Sequence, residues 1–442
     1  MTPAFYLQPP LAAPPPDEIT SRRRWLVGNG CFIAFLALIL VGVAPLQELA
    51  ITERVGQGDI ANQILHLSIF AILVLNTGTK LTARQLQPVP VTILLVLAYC
   101  LVSVSWAIEP IISLRRLVLT GLVIWVLFRF VADLGYDRTL LILRIVMIAL
   151  LVLNYASVFL TPYGVHPPLR EESSVVGNWR GVMPHKNIAG AACAFLVILE
   201  MFDVRRFPRL ISWVAIAAAL VFLNYTVSKT SIGLVGFCLI GGWLVRPYSA
   251  NYRSILAVVA LIAAGFALQL ASAYQPELAN SVTDPASFTG RGAIWPILID
   301  YASEHLWTGA GFGSFWQIGN ASPIWSITRS WVAQSSHGHN GYLDLLVTIG
   351  LPGTVLAVAM LVVWPLMRLF LSLSISKQQR ALLFAMLAFG IGHNLTESSI
   401  LNGPSVVEVF LILAIALIYR LAELGRYAAL LRREGPHPAV WR

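Results

Sequence analysis

The sequence predicts an all-α polytopic membrane protein, and three observations predict it. Hydrophobic residues fill 57% of the 442 positions and charged residues only 12%, against roughly 25% charged in a soluble domain. Apolar runs near the roughly 20 residues that a bilayer core requires recur along the chain. The basic residues between those runs divide unevenly between the two sides. A soluble domain could not hide this much apolar surface.

The runs give about 12 spans in order, near 25–46, 61–78, 89–107, 111–131, 139–160, 187–203, 210–227, 231–245, 254–272, 341–368, 381–398 and 404–421. Asn62, Gln63 and His66 interrupt the second. Arg115 and Arg116 sit near the outer end of the fourth, which tilts or re-enters, and Arg144 lies within the fifth. The tenth carries Pro352-Gly353 after its first two turns, so a kink is expected there. Residues 1–24 are Pro-rich, end in Arg22-Arg23-Arg24, and read as a disordered cytoplasmic tail before a retained first helix rather than a cleaved signal peptide. Residues 25–425 form the membrane domain, and 426–442 a second cytoplasmic tail. There is no tandem repeat and no appended soluble domain. Cys31, Cys100, Cys193 and Cys238 all fall inside apolar runs, without metal or disulfide spacing.

Twelve spans put both termini on one side, where 20 of the 30 Lys and Arg residues then fall. Excess positive charge marks the cytoplasmic side, so the net charge of +9 orients the chain and gives no reason to expect nucleic acid. The outer side carries Arg54, Arg115, Arg116, Arg170, Arg180, Lys186, Lys229, Arg291 and Arg329. These run against the rule and need a reason. Two outer loops hold most of them, near 161–186 and 273–340. Within the second, residues 290–305 have a helical apolar pattern too short to span, as expected of an interfacial helix.

Five clusters reach this outer boundary. In Trp179-Arg180-Gly181-Val182-Met183-Pro184-His185-Lys186-Asn187, Asn187 can cap the sixth span, setting Arg180, His185 and Lys186 at a helix N-terminus suited to an anion. The plainer reading is a capped helix with snorkelling cations. Ser228-Lys229-Thr230-Ser231 holds Lys229 near the surface, or is only a polar turn. Phe288-Thr289-Gly290-Arg291 opens the interfacial helix, and the Arg291 guanidinium matches phosphate oxygens. Pairing of Arg291 with Asp284 or Asp300 is the alternative. Gly309-Ala310-Gly311-Phe312-Gly313 lacks the strand–helix context of a dinucleotide site. In Ser336-His337-Gly338-His339-Asn340-Gly341-Tyr342, His339 is the candidate general base, with Asn340 or Asp344 to orient it. Zinc competes, but the H-x-H pair has no third ligand at diagnostic spacing. In His393-Asn394-Leu395-Thr396-Glu397, Glu397 pairs with Arg180 or Arg291, faces substrate, or packs between helices. Jointly the clusters describe a cationic, histidine-bearing cavity at headgroup level, suited to a lipid-linked phosphate or diphosphate.

The segments WRGVMPHKNIAG, SKTSIG, FTGRGAIW, GAGFGSFW and HGHNGYLDLLVTIGLPG, in that order, resemble the O-antigen ligase and polymerase superfamily, most closely its exopolysaccharide-production polymerases. The resemblance covers roughly 170–355; the N-terminal spans match only in hydropathy. It implies a GT-C-like, inverting, metal-independent glycosyltransferase of the bacterial inner membrane, without a cofactor. Its donor would be a glycan on undecaprenyl diphosphate at the periplasmic face. Arg180 and Arg291 would hold the diphosphate, with Lys229, Lys186 and His185 assisting. His339 would be the base for the acceptor hydroxyl, supported by His337, Asn340 and Glu397. Family members commonly have serine–arginine where this chain has Ser228-Lys229, and His337 beside His339 leaves the choice of base open. A chain-length regulator and a flippase are the implied partners. The leading function is polymerisation of lipid-linked repeat units. A ligase moving the glycan to lipid A–core shares donor and motifs. A lipid-linked sugar transporter is a third reading, against which stand the lack of two-fold hydropathy symmetry and the gathering of polar residues at one boundary.

Overall fold

The computed structural model describes residues 18–43, 60–76, 87–167, 175–202, 208–252 and 291–433. The expected ninth span, the 273–290 part of the outer loop, residues 1–17 and residues 434–442 lie outside them. The described residues are helical, with a single isolated bridge between Val165 and Trp179.

The first helices are α1 (Glu18–Val41), α2 (Ile60–Asn76) and α3 (Val91–Ser103), followed by α4 (Pro110–Leu160). The polar residues expected to interrupt α2 do not, because the His66 Nδ1–H donates to the Asn62 carbonyl at 2.8 Å, one turn back. Helix α4 runs for 51 residues, about 77 Å at 1.5 Å per residue, far more than a bilayer core. Gly135 breaks it with φ 71° and ψ 176°. Both ends of α4 meet loops on the same side: Arg116 donates to the carbonyls of Gly313, Trp316 and Gln317 at 2.5, 2.8 and 3.2 Å, and Asn154 accepts from the Val182 amide at 3.0 Å. The chain therefore doubles back at Gly135, and the expected fourth and fifth spans are the two arms of one broken helix.

Next come α5 (Lys186–Phe202), α6 (Arg209–Thr226) and α7 (Lys229–Val245), then the short α8 (Trp295–Glu304) within the expected 290–305. A one-turn α9 (Ile324–Ile327) leads to α10 (Gly341–Val358), which continues through a π turn at Ala359–Val363 into α11 (Trp364–Leu371). The expected kink is present but lies at Gly350, with φ 66°, not at Pro352. A Cβ at Gly350 would meet the Trp307 carbonyl oxygen at 2.5 Å, so the loop before α9 packs directly on the bent backbone. The last helices are α12 (Lys377–His393) and α13 (Val406–Arg433).

Helix α13 is buried from Val406 to Ile418 and apolar there on every side except at Glu408, as suits a central helix. Helices α4 and α12 pack against it, and α5 contacts it through Phe195 and Phe410, whose rings stack at 3.7 Å. The periphery is apolar too. Phe237, Ile240, Trp243 and Leu244 of α7, and Ile60, Ile64, Leu67 and Leu75 of α2, are exposed. Such surfaces are stable only against lipid. Among the described residues, Arg24–Val41, Pro110–Leu160, Arg209–Thr226 and Gly341–Leu371 are long and apolar enough to cross a membrane, and Ile60–Asn76, Val91–Trp106 and Lys229–Val245 are shorter apolar helices. The molecule is a helical membrane protein.

One ion pair lies within this apolar interior. Arg144 of α4 binds Glu200 of α5 through two hydrogen bonds, one of them at 2.8 Å, and its Nη2 reaches the Ser212 hydroxyl of α6 at 3.3 Å. Neither charged side chain is exposed at all.

Candidate active site

Glu397 sits in the turn that follows α12, and Asn394 builds that turn. The Asn394 oxygen accepts from the Ser399 and Ile400 amides at 2.8 and 3.0 Å, and its nitrogen donates to the Gly390 carbonyl at 2.7 Å. Gly341 opens α10 against it, where a Cβ would collide with Asn394. The Gly341 amide donates to the carbonyls of Asn394 and Glu397 at 2.8 and 3.0 Å. The start of α10, which carries the histidines, is thereby locked to the turn that carries Glu397.

Side chains from three other segments converge on that carboxylate. Arg291 Nη2 donates to Oε1 at 2.5 Å, and Asn187 Nδ2 donates to the same oxygen at 2.8 Å. His339 Nδ1 lies 3.0 Å from Oε2, and His337 Nε2 lies 3.8 Å from it. The Arg291 and Glu397 side chains are 14% and 11% exposed, and each histidine side chain is 30% exposed. The ion pair is sheltered, and the rings face outward.

Burial pushes the Glu397 acid up, but His337, His339 and the Arg291 charge outweigh it and hold the carboxyl well below its ordinary value. Glu397 is a carboxylate and can only accept, so His339 must carry its proton on Nδ1. Burial holds His339 below the ordinary imidazole value, with the bond to Glu397 opposing. The ring is therefore neutral at neutral pH, and the lone pair is on Nε2. His339 also adopts φ 51°, in the left-handed region, a strained conformation that persists only where its surroundings enforce it. Asp344 enforces it from one side, accepting from the Gly338 amide at 3.1 Å and from the Trp316 indole at 2.8 Å. Trp295 of α8 donates to the Gly338 carbonyl at 3.0 Å from the other.

Two expected roles change hands. Asn340 does not orient His339: it is the N-cap of α10, accepting from the Tyr342 and Leu343 amides, both at 3.1 Å. Asn187 does not cap α5, which begins at Lys186; its side chain is turned to Glu397. Histidines make that cap instead. His166 Nε2 accepts from the Lys186 amide at 3.1 Å and His185 Nδ1 from the Asn187 amide at 3.2 Å, with ring centroids 5.2 Å apart. Burial pushes both rings down to about 4, helped at His166 by the charges of Arg180 and Lys186.

Of the two expected partners of Glu397, the fold supplies Arg291. Arg180 is 3% exposed and donates to the carbonyls of Tyr163 and Pro184 at 2.8 and 3.4 Å, folding the loop that leads into α5. Lys229 is the exposed first residue of α7. Its neighbour Thr230 bonds Thr396 at 2.7 Å, which places Lys229 at the rim. Lys186 Nζ reaches the Val227 carbonyl at 3.4 Å on the same rim. Sequence spacing offered no third ligand to join His337 and His339, but the fold brings Glu397, and the three ligand atoms lie within 4.8 Å of one another. Such a set could hold a metal ion, sharing its carboxylate with Arg291.

Helical spans around a charged, histidine-bearing centre define a multi-pass membrane protein. Residues 188–358 match the family model described as O-antigen ligase, and the match supports the O-antigen ligase and polymerase superfamily. It contains Lys229, Arg291, His337 and His339, and excludes Arg180 and Glu397. No curated protein matches the chain.

Proposed function

We propose that this protein is an inverting membrane glycosyltransferase that joins undecaprenyl-diphosphate-linked oligosaccharide repeat units into an exopolysaccharide at the periplasmic face of the inner membrane, with both termini cytoplasmic. The observation that carries the reading is the Glu397 centre, which sets a guanidinium and a neutral imidazole on opposite oxygens of one carboxylate.

In the proposed step the acceptor hydroxyl lies against Nε2 of His339. The hydroxyl oxygen attacks the anomeric carbon of the donor sugar as its proton passes to Nε2, and Glu397 stabilises the imidazolium that forms. The bond from the anomeric carbon to the diphosphate oxygen breaks, and its electron pair leaves on the diphosphate. The N–H groups of Arg291 that are not on Glu397, with Lys229 and Lys186 at the rim, meet the charge that develops there. Attack opposite the leaving group inverts the anomeric centre. Arg180 serves through the loop it folds and through its charge beside His166. No step requires a metal ion, because a diphosphate already leaves readily.

The description of the matched family favours a second reading, a ligase that moves the glycan to lipid A–core. Purified protein in lipid discs, given only an undecaprenyl-diphosphate-linked repeat unit, tests both. A product ladder that vanishes in Arg291→Ala supports the polymerase. A single transfer that waits for lipid A–core replaces it with the ligase. No reaction under either condition defeats both and brings the transporter forward.

A further inference from the structure

The face opposite the Glu397 centre carries a cavity that the proposed chemistry does not use. Helix α7 starts at Lys229 beside the centre and ends at Val245, while α12 starts at Lys377 and ends at His393 beside the centre. The two helices pack antiparallel, and the crevice between Val245 and Lys377 opens on the far side. Glycine lets them close there. A Cβ at Gly241 would stand 2.9 Å from the Phe384 ring, and one at Gly242 would stand 3.1 Å from the Ala381 carbonyl oxygen. The cavity at this crevice has a volume of about 550 Å³ and is lined by Trp243, Leu244, Arg246, Pro247, Lys377 and Gln378.

Its lining divides into a charged part and an apolar part. Arg246 and Lys377 are both exposed, and none of the lining residues is acidic. Lys377 opens α12, whose N-terminal dipole adds to the positive potential. Trp243 and Leu244, 67% and 62% exposed, continue outward as an apolar wall. An indole beside cations at the end of an apolar helix is the arrangement of a membrane–water boundary.

The cations are held on a fixed floor. Arg380, 3% exposed, donates to the carbonyls of Leu369, Tyr248, Ser372 and Ile375 at 3.1, 3.2, 2.8 and 3.0 Å. That ties the turn after Arg246 to the start of α12. Gln378 donates to the Phe202 carbonyl at 2.7 Å and anchors the same corner to the end of α5. Arg380 is consumed by backbone oxygens, which leaves Arg246 and Lys377 to face the cavity.

We infer that this crevice binds one anionic phospholipid of the leaflet opposite the Glu397 centre, with the headgroup phosphate between Arg246 and Lys377 and an acyl chain along Trp243 and Leu244. Basic pockets between spanning helices at this depth recognise such headgroups. The inference is independent of the glycosyltransferase reading.

The test uses full-length, delipidated protein in a neutral detergent, with lipid binding followed by native mass spectrometry. Phosphatidylglycerol is expected to bind tightly, and phosphatidylcholine at least about tenfold more weakly. Each cation contributes about fivefold in affinity, so Arg246→Gln with Lys377→Gln should weaken phosphatidylglycerol by roughly thirtyfold. Thermal unfolding of the lipid-free double variant at the wild-type temperature establishes that it folds. The comparison of the two lipids on wild-type protein stands even if it does not. Equal binding of the two lipids, undiminished binding in a folded double variant, or displacement of the lipid by an equal concentration of inorganic phosphate would each overturn the inference.

Discussion

The cations expected on the outer side against the positive-inside rule have separate structural roles. Arg291 is paired with Glu397, Arg116 ties α4 to the carbonyls of the 313–317 loop, and Arg180 folds the loop before α5. Arg54 and Arg170 lie outside the described residues. The sequence could mark these residues as anomalous but could not sort them, because Arg116 and Arg291 find their partners 197 to 201 and 106 residues along the chain. The sequence singled out His339 from its loop and its titration range and named Glu397 among its supports, but the direct bond between the two, at 58 residues' separation, came only with the fold. Because His339 Nδ1 is held by Glu397 and His337 stands 3.8 Å away, His339→Ala should lower turnover by roughly 10²–10⁴-fold, the range of a lost general base. His337→Ala should cost much less. A reversed ranking in purified protein would move the base to His337. His166 and His185 make a prediction about pH. Their folded values near 4 lie below the ordinary 6.5, so between those values the unfolded chain binds more protons and stability falls as the pH is lowered. Thermal unfolding in detergent at pH 7 and pH 5 should show that loss. His166→Gln, which keeps an acceptor and cannot titrate, should show less of it; an unchanged loss would assign the effect elsewhere.

At the scale of elements, hydropathy anticipated the apolar helices among the described residues, four of them long enough to cross a membrane, because burial in lipid and burial in protein select the same residues. It anticipated a short helix in the second loop, since α8 spans Trp295–Glu304 within the expected 290–305. It did less well at bends. The kink of α10 was expected from Pro352, yet the backbone breaks at Gly350, where the 307–309 loop presses on it. Long-range packing, invisible in local sequence, chose the glycine. Arg144 was recognised within its span without a partner, since Glu200 lies 56 residues away. The Arg144–Glu200 pair joins α4 to α5 in a dry environment, so removing one partner strands a charge. Glu200→Ala should destabilise the protein by about 3–5 kcal/mol, whereas Arg144→Met with Glu200→Leu should cost far less. Unfolding temperatures in detergent would decide, and a harmless Glu200→Ala would mean that water reaches the pair.

For the whole molecule, the segments that meet at Glu397 come from the start of α5, the approach to α8, the start of α10 and the turn after α12, all at one end of the bundle. The opposite end carries Arg246 and Lys377. That polarity predicts the topology directly. The native cysteines are all buried, so background labelling is low. A membrane-impermeant maleimide added to intact cells with a permeabilised outer membrane should label Arg329→Cys and spare Lys377→Cys. Labelling of Lys377→Cys alone would invert the orientation. Charge asymmetry carries the expected orientation, because the signal is summed over many loops. The site was legible only in outline, because a carboxylate after α12 and a guanidinium before α8 become neighbours only once the bundle closes. The most direct measurement is donor turnover in lipid discs for Arg291→Ala, His339→Ala, Glu397→Gln and the triple variant, each checked for folding. If one carboxylate unites the guanidinium and the base, the losses are far from additive and each single variant falls nearly as far as the triple. Additive losses, or wild-type turnover in Glu397→Gln, would contradict a Glu397-centred site.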